Sequence, residues 1–186
     1  MAFNIKQIAS AQILALTLGV GSAYAQVAAT DEAHHQGVEK VATPENLLPD
    51  GVDAAMVTNP FTGNSAHARK GTVAAMLHNV ALLNTKLQAP ELSEKEWGLV
   101  EELQNQITGL LPSLDVIGVF DLFNAEEWVS ETQLGRTMTI TLYLKENPSK
   151  RTESLKNKLK LFLANHKKNQ DPKVSAWFNK ELKPLI

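Results

Sequence analysis

Apolar residues from about position 65 onward recur at spacings of three and four, the interval that gathers side chains on one face of an α-helix. Over 65–88 they are Val73, Met76, Leu77, Val80, Leu83 and Leu87, which predicts an amphipathic helix ended by Ala89-Pro90, with Gly71 as an alternative start. Ser93-Glu94-Lys95-Glu96 has the form of a capping box, in which a serine oxygen and a glutamate carboxylate satisfy the unpaired amides at a helix N-terminus. The helix it opens carries Trp97, Val100, Leu103, Ile107, Leu110 and Leu111 on one stripe, and Pro112 is expected to stop it. Ser149 or Thr152 then caps a helix running to about Lys168, with Leu155, Leu159, Phe162 and Leu163 inward. Asp171-Pro172 starts a last helix, in which Val174, Trp177, Phe178 and Leu182 are buried before Pro184 ends it.

Two segments lack that period. Residues 113–123 are apolar on several faces and too short for length to decide between helix and strand. Residues 137–144 alternate as a half-buried strand does, with Thr137, Thr139 and Thr141 on a surface. If 116–123 pairs with 137–144, the fold is α+β with a small two-stranded sheet. If both are helical, Leu134, Met138 and Leu142 share one face. A two-stranded sheet is marginal by itself and the flanking pattern is helical, so the predicted fold is an all-α bundle of about four to six helices.

The N-terminal third reads differently. Residues 1–25 carry Lys6, no acid, an apolar stretch at 13–20 and the tripeptide Ala23-Tyr24-Ala25, the layout of a bacterial signal peptide cleaved after Ala25. The apolar run falls short of the ~20 residues that span a membrane. Residues 26–59 hold two prolines, Pro44 and Pro49, and no sustained period, and a loop follows at Asn59-Pro60 and Thr62-Gly63-Asn64. The expected organisation is therefore a signal peptide at 1–25, a flexible arm at 26–60 and a helical domain at 61–186, in a protein placed in the periplasm or outside the cell.

The chain has 186 residues, 44% hydrophobic and 20% charged, the profile of one ordinary domain. The absence of cysteine excludes thiol catalysis, thiolate metal sites, disulfides and a lipid-bearing cysteine. A formal net charge of −2 hides a split: residues 26–135 carry 16 acids against 5 bases, and residues 136–186 carry 4 acids against 12 bases. Such halves either face each other or each meet a charged partner. The basic part is concentrated in Lys150, Arg151, Lys156, Lys158, Lys160, Lys167 and Lys168, opposed by Glu153. These cations answer the acids of the helix that starts near Glu94, dock on an acidic protein partner, or lie on anionic lipid headgroups. Nucleic acid is not expected as a partner, because no aromatic stacking platform accompanies the charge.

Candidate chemistry is sparse. His67, Arg69 and Lys70, in a segment bounded by Gly63 and Gly71, suggest a site for a carboxylate, a sulfate or an acidic group of a partner. The segment is not a nucleotide phosphate loop, since Lys70 precedes Gly71 instead of following it. His34 and His35, beside Asp31 and Glu32, read as solvated residues, and no metal or cofactor is expected. On a helix His67 and His78 would stand about 16 Å apart, too far to share an ion. Glu101-Glu102 and Glu126-Glu127 are sequence neighbours that diverge by about 100° on a helix and form no dyad. The function expected is that of an exported binding or assembly module without chemistry of its own, acting through charged helical surfaces on a protein partner or on itself. Two rivals stand beside it: an envelope enzyme gathering Glu101 or Asp121 with His67 in a cleft, and a peripheral binder of anionic membranes using 150–168.

Overall fold

In a computed structural model of the chain, which describes residues 40–48, 54–166 and 171–186, the capping box at Ser93 opens a helix as its sequence predicts. Ser93 Oγ accepts from the Glu96 amide at 3.3 Å, and Glu96 Oε2 accepts from the Ser93 amide at 2.9 Å. The expected signal peptide, the part of the expected arm that holds His34 and His35, and Lys167 and Lys168 lie outside the described residues. Within the unit Val41–Ile186 the described elements are α1 (Pro44–Leu47), β1 (Ala54–Thr58), β2 (Ser65–Arg69), α2 (Thr72–Leu87), α3 (Glu94–Ile117), α4 (Val119–Leu122), α5 (Leu134–Glu146), α6 (Glu153–Asn165) and α7 (Pro172–Leu182). Short 3-10 turns follow α4, α5 and α7. The architecture is the expected helical bundle, with one small antiparallel sheet of β1 and β2. Among the described residues no helix is long and apolar enough to cross a membrane.

Three expectations need correction, and the two-stranded alternative gives way to a different sheet. The helix predicted over 65–88 begins at Thr72, at the alternative start marked by Gly71, which takes the left-handed conformation (φ 83°), and residues 65–69 pair with β1 instead. The sheet therefore comes from 54–58 and 65–69; 116–123 and 137–144 enter helices, as the predicted all-α bundle has them, and the alternative pairing of these two segments does not form. Residues 41–48 and 54–58, within the segment expected to be an arm, are built into the folded unit: Asn79, fully buried on α2, accepts from the Ala42 amide at 2.7 Å and donates to the Ala42 carbonyl at 2.8 Å. Pro112 does not stop α3. The proline ring is exposed while Leu110, Leu111 and Leu114 continue the buried stripe past it, and the helix ends only at Gly118, left-handed at φ 86°.

The alternation at 137–144 is explained by the position of α5. This helix packs against α2, α3, α7 and the 3-10 turn at Ala125–Trp128, so its residues from Leu134 to Leu144 are buried on every side except at Arg136. A helix covered all round has no polar stripe to reveal its period. Thr137, Thr139 and Thr141, expected on a surface, are completely buried. Their hydroxyls are satisfied nearby: Thr139 donates to the Gly135 carbonyl at 2.7 Å, Thr141 to the Thr137 carbonyl at 2.6 Å, and Thr137 to the Ser130 carbonyl at 2.9 Å. Where α2 meets α5, the Asn84 side chain accepts from the amides of Gly135 at 2.6 Å and Arg136 at 3.3 Å, capping α5 from a neighbouring helix. The last helix is held in the same manner. Asp171, its cap, accepts from Lys173 at 2.7 Å and also from Leu92 of the distant turn before α3 at 2.7 Å.

Candidate functional site

The sheet packs against α3, and α1 packs against α2. Between these elements lies a cleft of about 440 Å³ lined on one side by Thr43, Glu45, Ala54, His67, Arg69 and Thr72. On the other side, Gln106, Gly109, Leu110 and Ser113 form one stripe of α3. Two of the three residues expected to hold an anion, His67 and Arg69, thus meet in one cavity. Lys70 is exposed and not among its lining residues. The structure adds a residue that the sequence pattern does not suggest: the Glu45 carboxylate is paired with the Arg69 guanidinium, with about half of each side chain exposed. The base of Arg69 is fixed, since its carbonyl accepts from the Thr72 hydroxyl at 2.8 Å.

Asp121 and Glu101, the acids expected to join His67 in an enzyme, are elsewhere. Neither lines that cleft. Glu101 is exposed and accepts from Trp97 Nε1 at 2.8 Å. Asp121 belongs to a polar cluster that ties the β1–β2 turn to the end of α3. Buried Asn59 donates to the Asp115 carbonyl and to Asp121 Oδ2, both at 2.9 Å, while its own oxygen accepts from the Phe61 and Thr62 amides. Lys150 reaches Asp121 Oδ1 at 2.8 Å. Its ammonium, and then the Asn59 amide, hold the Asp121 carboxyl below the usual range for aspartate. Tyr143, stacked on Phe120 at 3.9 Å, donates to Asp115 Oδ1 at 2.5 Å. Burial first, then the Asp115 carboxylate, raise the pKa of its phenol well above the ordinary value. All five side chains, Asn59, Asp115, Asp121, Tyr143 and Lys150, bond within the cluster, which suits a clamp better than a site of turnover.

Most of the described part of the basic segment is engaged within the chain. Besides Lys150, Arg151 donates to the Leu144 carbonyl at 2.9 Å and the Lys145 carbonyl at 3.4 Å, which caps α5 at its C-terminus. Lys156 pairs with Glu153 at 2.6 Å, and Lys158 donates to the Glu126 carbonyl at 2.6 Å. Lys160 is exposed. Among the described residues of the segment the partners are Asp121, Glu153 and backbone carbonyls, not the acids of α3.

A second concavity is apolar. Leu77, Val80, Phe123 and Trp128 line a groove of about 230 Å³ rimmed by Glu127 and Arg136. Val80 and Trp128 form a buried floor, whereas Leu77 is 62% and Phe123 51% exposed. Val73, one turn before Leu77, and Leu122 beside Phe123 are exposed as well. The Arg136 guanidinium lies 5.6 Å from the Trp128 ring and donates to Gln133 Oε1 and to the Glu127 carbonyl, leaving the Glu127 carboxylate without that cation. The apolar pattern of α2 assigns Val73 and Leu77 to the core. Their signal is the width of the stripe: Met76 and Leu77 diverge by about 100°, more than one packing face covers.

A family model described as Domain of unknown function (DUF7709) matches residues 48–147. That span contains the groove and most of the cleft and ends before the basic segment. Searches among curated proteins and among solved structures gave no match.

Proposed function

The chain belongs to the DUF7709 family, and we propose that it is an exported, non-enzymatic assembly module of the bacterial envelope whose apolar groove docks a second copy of the same chain. The observation that carries this reading is the exposure of Leu77 and Phe123 over the groove, with Val73 and Leu122 beside them. Exposed apolar residues that cluster around a concavity mark docking sites more often than scattered ones do. A two-fold contact presents the same patch from both sides, so a groove and a protruding stripe on one face serve each other. The rim charges fit that symmetry. Arg136 of one copy meets Glu127 of the other, and the reverse pair forms at the same time. The cations at 150–158 support the fold locally, and the face offered to a partner is the one on α2, α4 and the N-terminus of α5. Export rests on the layout of residues 1–25.

Four exposed side chains and a charged rim fall short of the ~800 Å² per partner of a standard interface, so the dimer is expected to dissociate in the micromolar range or weaker. Sedimentation velocity on the protein purified from its own envelope fraction tests this, after its N-terminus has been sequenced. The expected results are a start at Gln26 and a sedimentation coefficient that rises with concentration. Leu77→Glu should leave a monomer. Glu127→Arg and Arg136→Glu should each weaken the dimer and together restore it. A monomer at every concentration up to about 1 mM, or a dimer indifferent to Leu77→Glu, would overturn the docking surface; an unprocessed N-terminus would overturn export.

A further inference from the structure

The cleft between the sheet and α3 is independent of the groove and differs from it in chemistry. We propose that it binds a small zwitterion, an α-amino acid or the end of a short peptide, with the ligand carboxylate on Arg69 and His67 and its ammonium on Glu45. The cavity, about 440 Å³, falls in the size range of small-molecule sites. Its one wall carries both signs of charge in contact, Arg69 with Glu45. A simple anion would meet the Glu45 carboxylate, and a simple cation the guanidinium. A molecule bearing both charges finds a counter-charge for each. An exposed ion pair contributes little to stability, so its two members can turn to a ligand at small cost to the fold. Arg69 also keeps donors beyond the one used by Glu45, because a guanidinium presents five.

The opposite wall is prepared for the uncharged part of such a ligand. Gln106 offers an amide and Ser113 a hydroxyl, two turns apart on the same stripe of α3. Between them is Gly109, where a Cβ would meet nothing within 4 Å. Glycine inside a helix is unfavourable relative to alanine, and neither packing nor backbone conformation requires it here. Its effect is to keep the wall open. Thr43 and Thr72 also face the cleft, but their hydroxyls are committed to Asn46 and to the Arg69 carbonyl, so they position the site and do not contact the ligand.

The test is a titration of the isotopically labelled full chain followed by amide chemical shifts, with three probes: dialanine, which carries both charges; N-acetylalanine, an anion; and alaninamide, a cation. Dialanine is expected to give saturable shifts at Arg69, Gly109 and Gln106, with each singly charged probe binding at least about tenfold more weakly. Glu45→Gln should remove the preference for dialanine over N-acetylalanine. Gly109→Leu should block all three probes, while Gly98→Leu, on the same helix at another open position, should leave binding intact. The proposal is overturned if dialanine gives no saturable shift up to roughly 10 mM. It is equally overturned if N-acetylalanine binds as tightly as dialanine, or if the shifts survive Gly109→Leu. A monomeric chain that still binds dialanine would separate this site from the docking face.

Discussion

Gly135→Ala is the substitution on which the packing argument rests most heavily. A Cβ at Gly135 would stand 2.7 Å from the Asn84 amide nitrogen, 2.8 Å from Asn84 Oδ1 and 2.8 Å from the Val80 carbonyl oxygen. Two of these atoms are backbone of α2, so no rotamer change relieves them. The helices have to separate by roughly half an ångström or more, and overpacking of that kind costs about 1–3 kcal/mol. Separation also stretches the 2.6 Å bond from the Gly135 amide to Asn84 Oδ1, the cap of α5, worth about 1 kcal/mol. Together the loss is about 3 kcal/mol, a large share of the ~5–15 kcal/mol that holds a typical domain. Equilibrium urea unfolding reads it directly. With a slope of about 1–3 kcal/mol/M, the midpoint should fall by at least about 1 M. Gly109→Ala is the internal comparison, because its Cβ meets open space; it should be neutral or stabilising by up to about 1 kcal/mol. A Gly135→Ala midpoint within about 0.3 M of the parent, or an equal loss at Gly109, would refute the claim that α2 and α5 touch through this glycine.

Three other outcomes follow from buried polar groups. Asn79→Ala orphans the amide and carbonyl of Ala42, at about 1–3 kcal/mol each, and hydrogen exchange at the Ala42 amide should lose its protection; unchanged protection would mean that another group holds 41–48. Asp171→Ala should destabilise by about 2–4 kcal/mol by orphaning the Leu92 and Lys173 amides, with Asp171→Asn costing less because it keeps an acceptor; equal losses in thermal unfolding would refute this. His166 is buried between Phe162 and Phe178, each ring 4.7 Å away, with neither ring nitrogen bonded to the described residues, and burial depresses its pKa against the opposing pull of Glu131. The unfolded chain therefore takes the proton first, near pH 6.5, and the stability present above that value is lost as pH falls through the folded-state pKa. Tm should drop between about pH 7 and 5 in the parent and stay flatter in His166→Phe, and parallel curves would count against the reading.

Much of the bundle was legible because its outer helices keep a polar side. Ser93 with Glu96, Thr152, and Asp171 with Pro172 announce three helix starts, and each side chain accepts the amide expected of it. The centre was read as helical from the flanking pattern and not from its own period, for the reason that makes it the centre. On α5 no face is wet, so the period vanishes, and threonines that bond their own helix are indistinguishable in sequence from threonines on a strand. The sheet was hidden because 65–69 adjoins the periodic run of α2 and 54–58 shows no alternation of its own. Of the candidate site, His67 and Arg69 were visible as anion-binding candidates, but Glu45 was not. It lies 24 positions from Arg69, and only the docking of α1 on α2 brings it there. The charge split suggested two halves answering each other, and Lys150 with Asp121 and Lys173 with Glu94 do pair across it, while Arg151 and Lys156 close short-range contacts that a sum over the chain does not resolve.

The complete enclosure of α5 also concerns the chain before it folds. Residues 137–144 contain no charge, no proline and no glycine, and five of the eight are β-branched or aromatic. An extended segment of that kind, once free, stacks readily with copies of itself into cross-β fibrils. The native state places this hazard where local fluctuations do not reach it, so its release requires opening of the whole domain. Aggregation in the cell should then follow the population of globally unfolded chain and not surface mobility. The contact between Gly135 and Asn84 acquires a second role in that light: loosening it endangers solubility before it alters any surface through which the protein works.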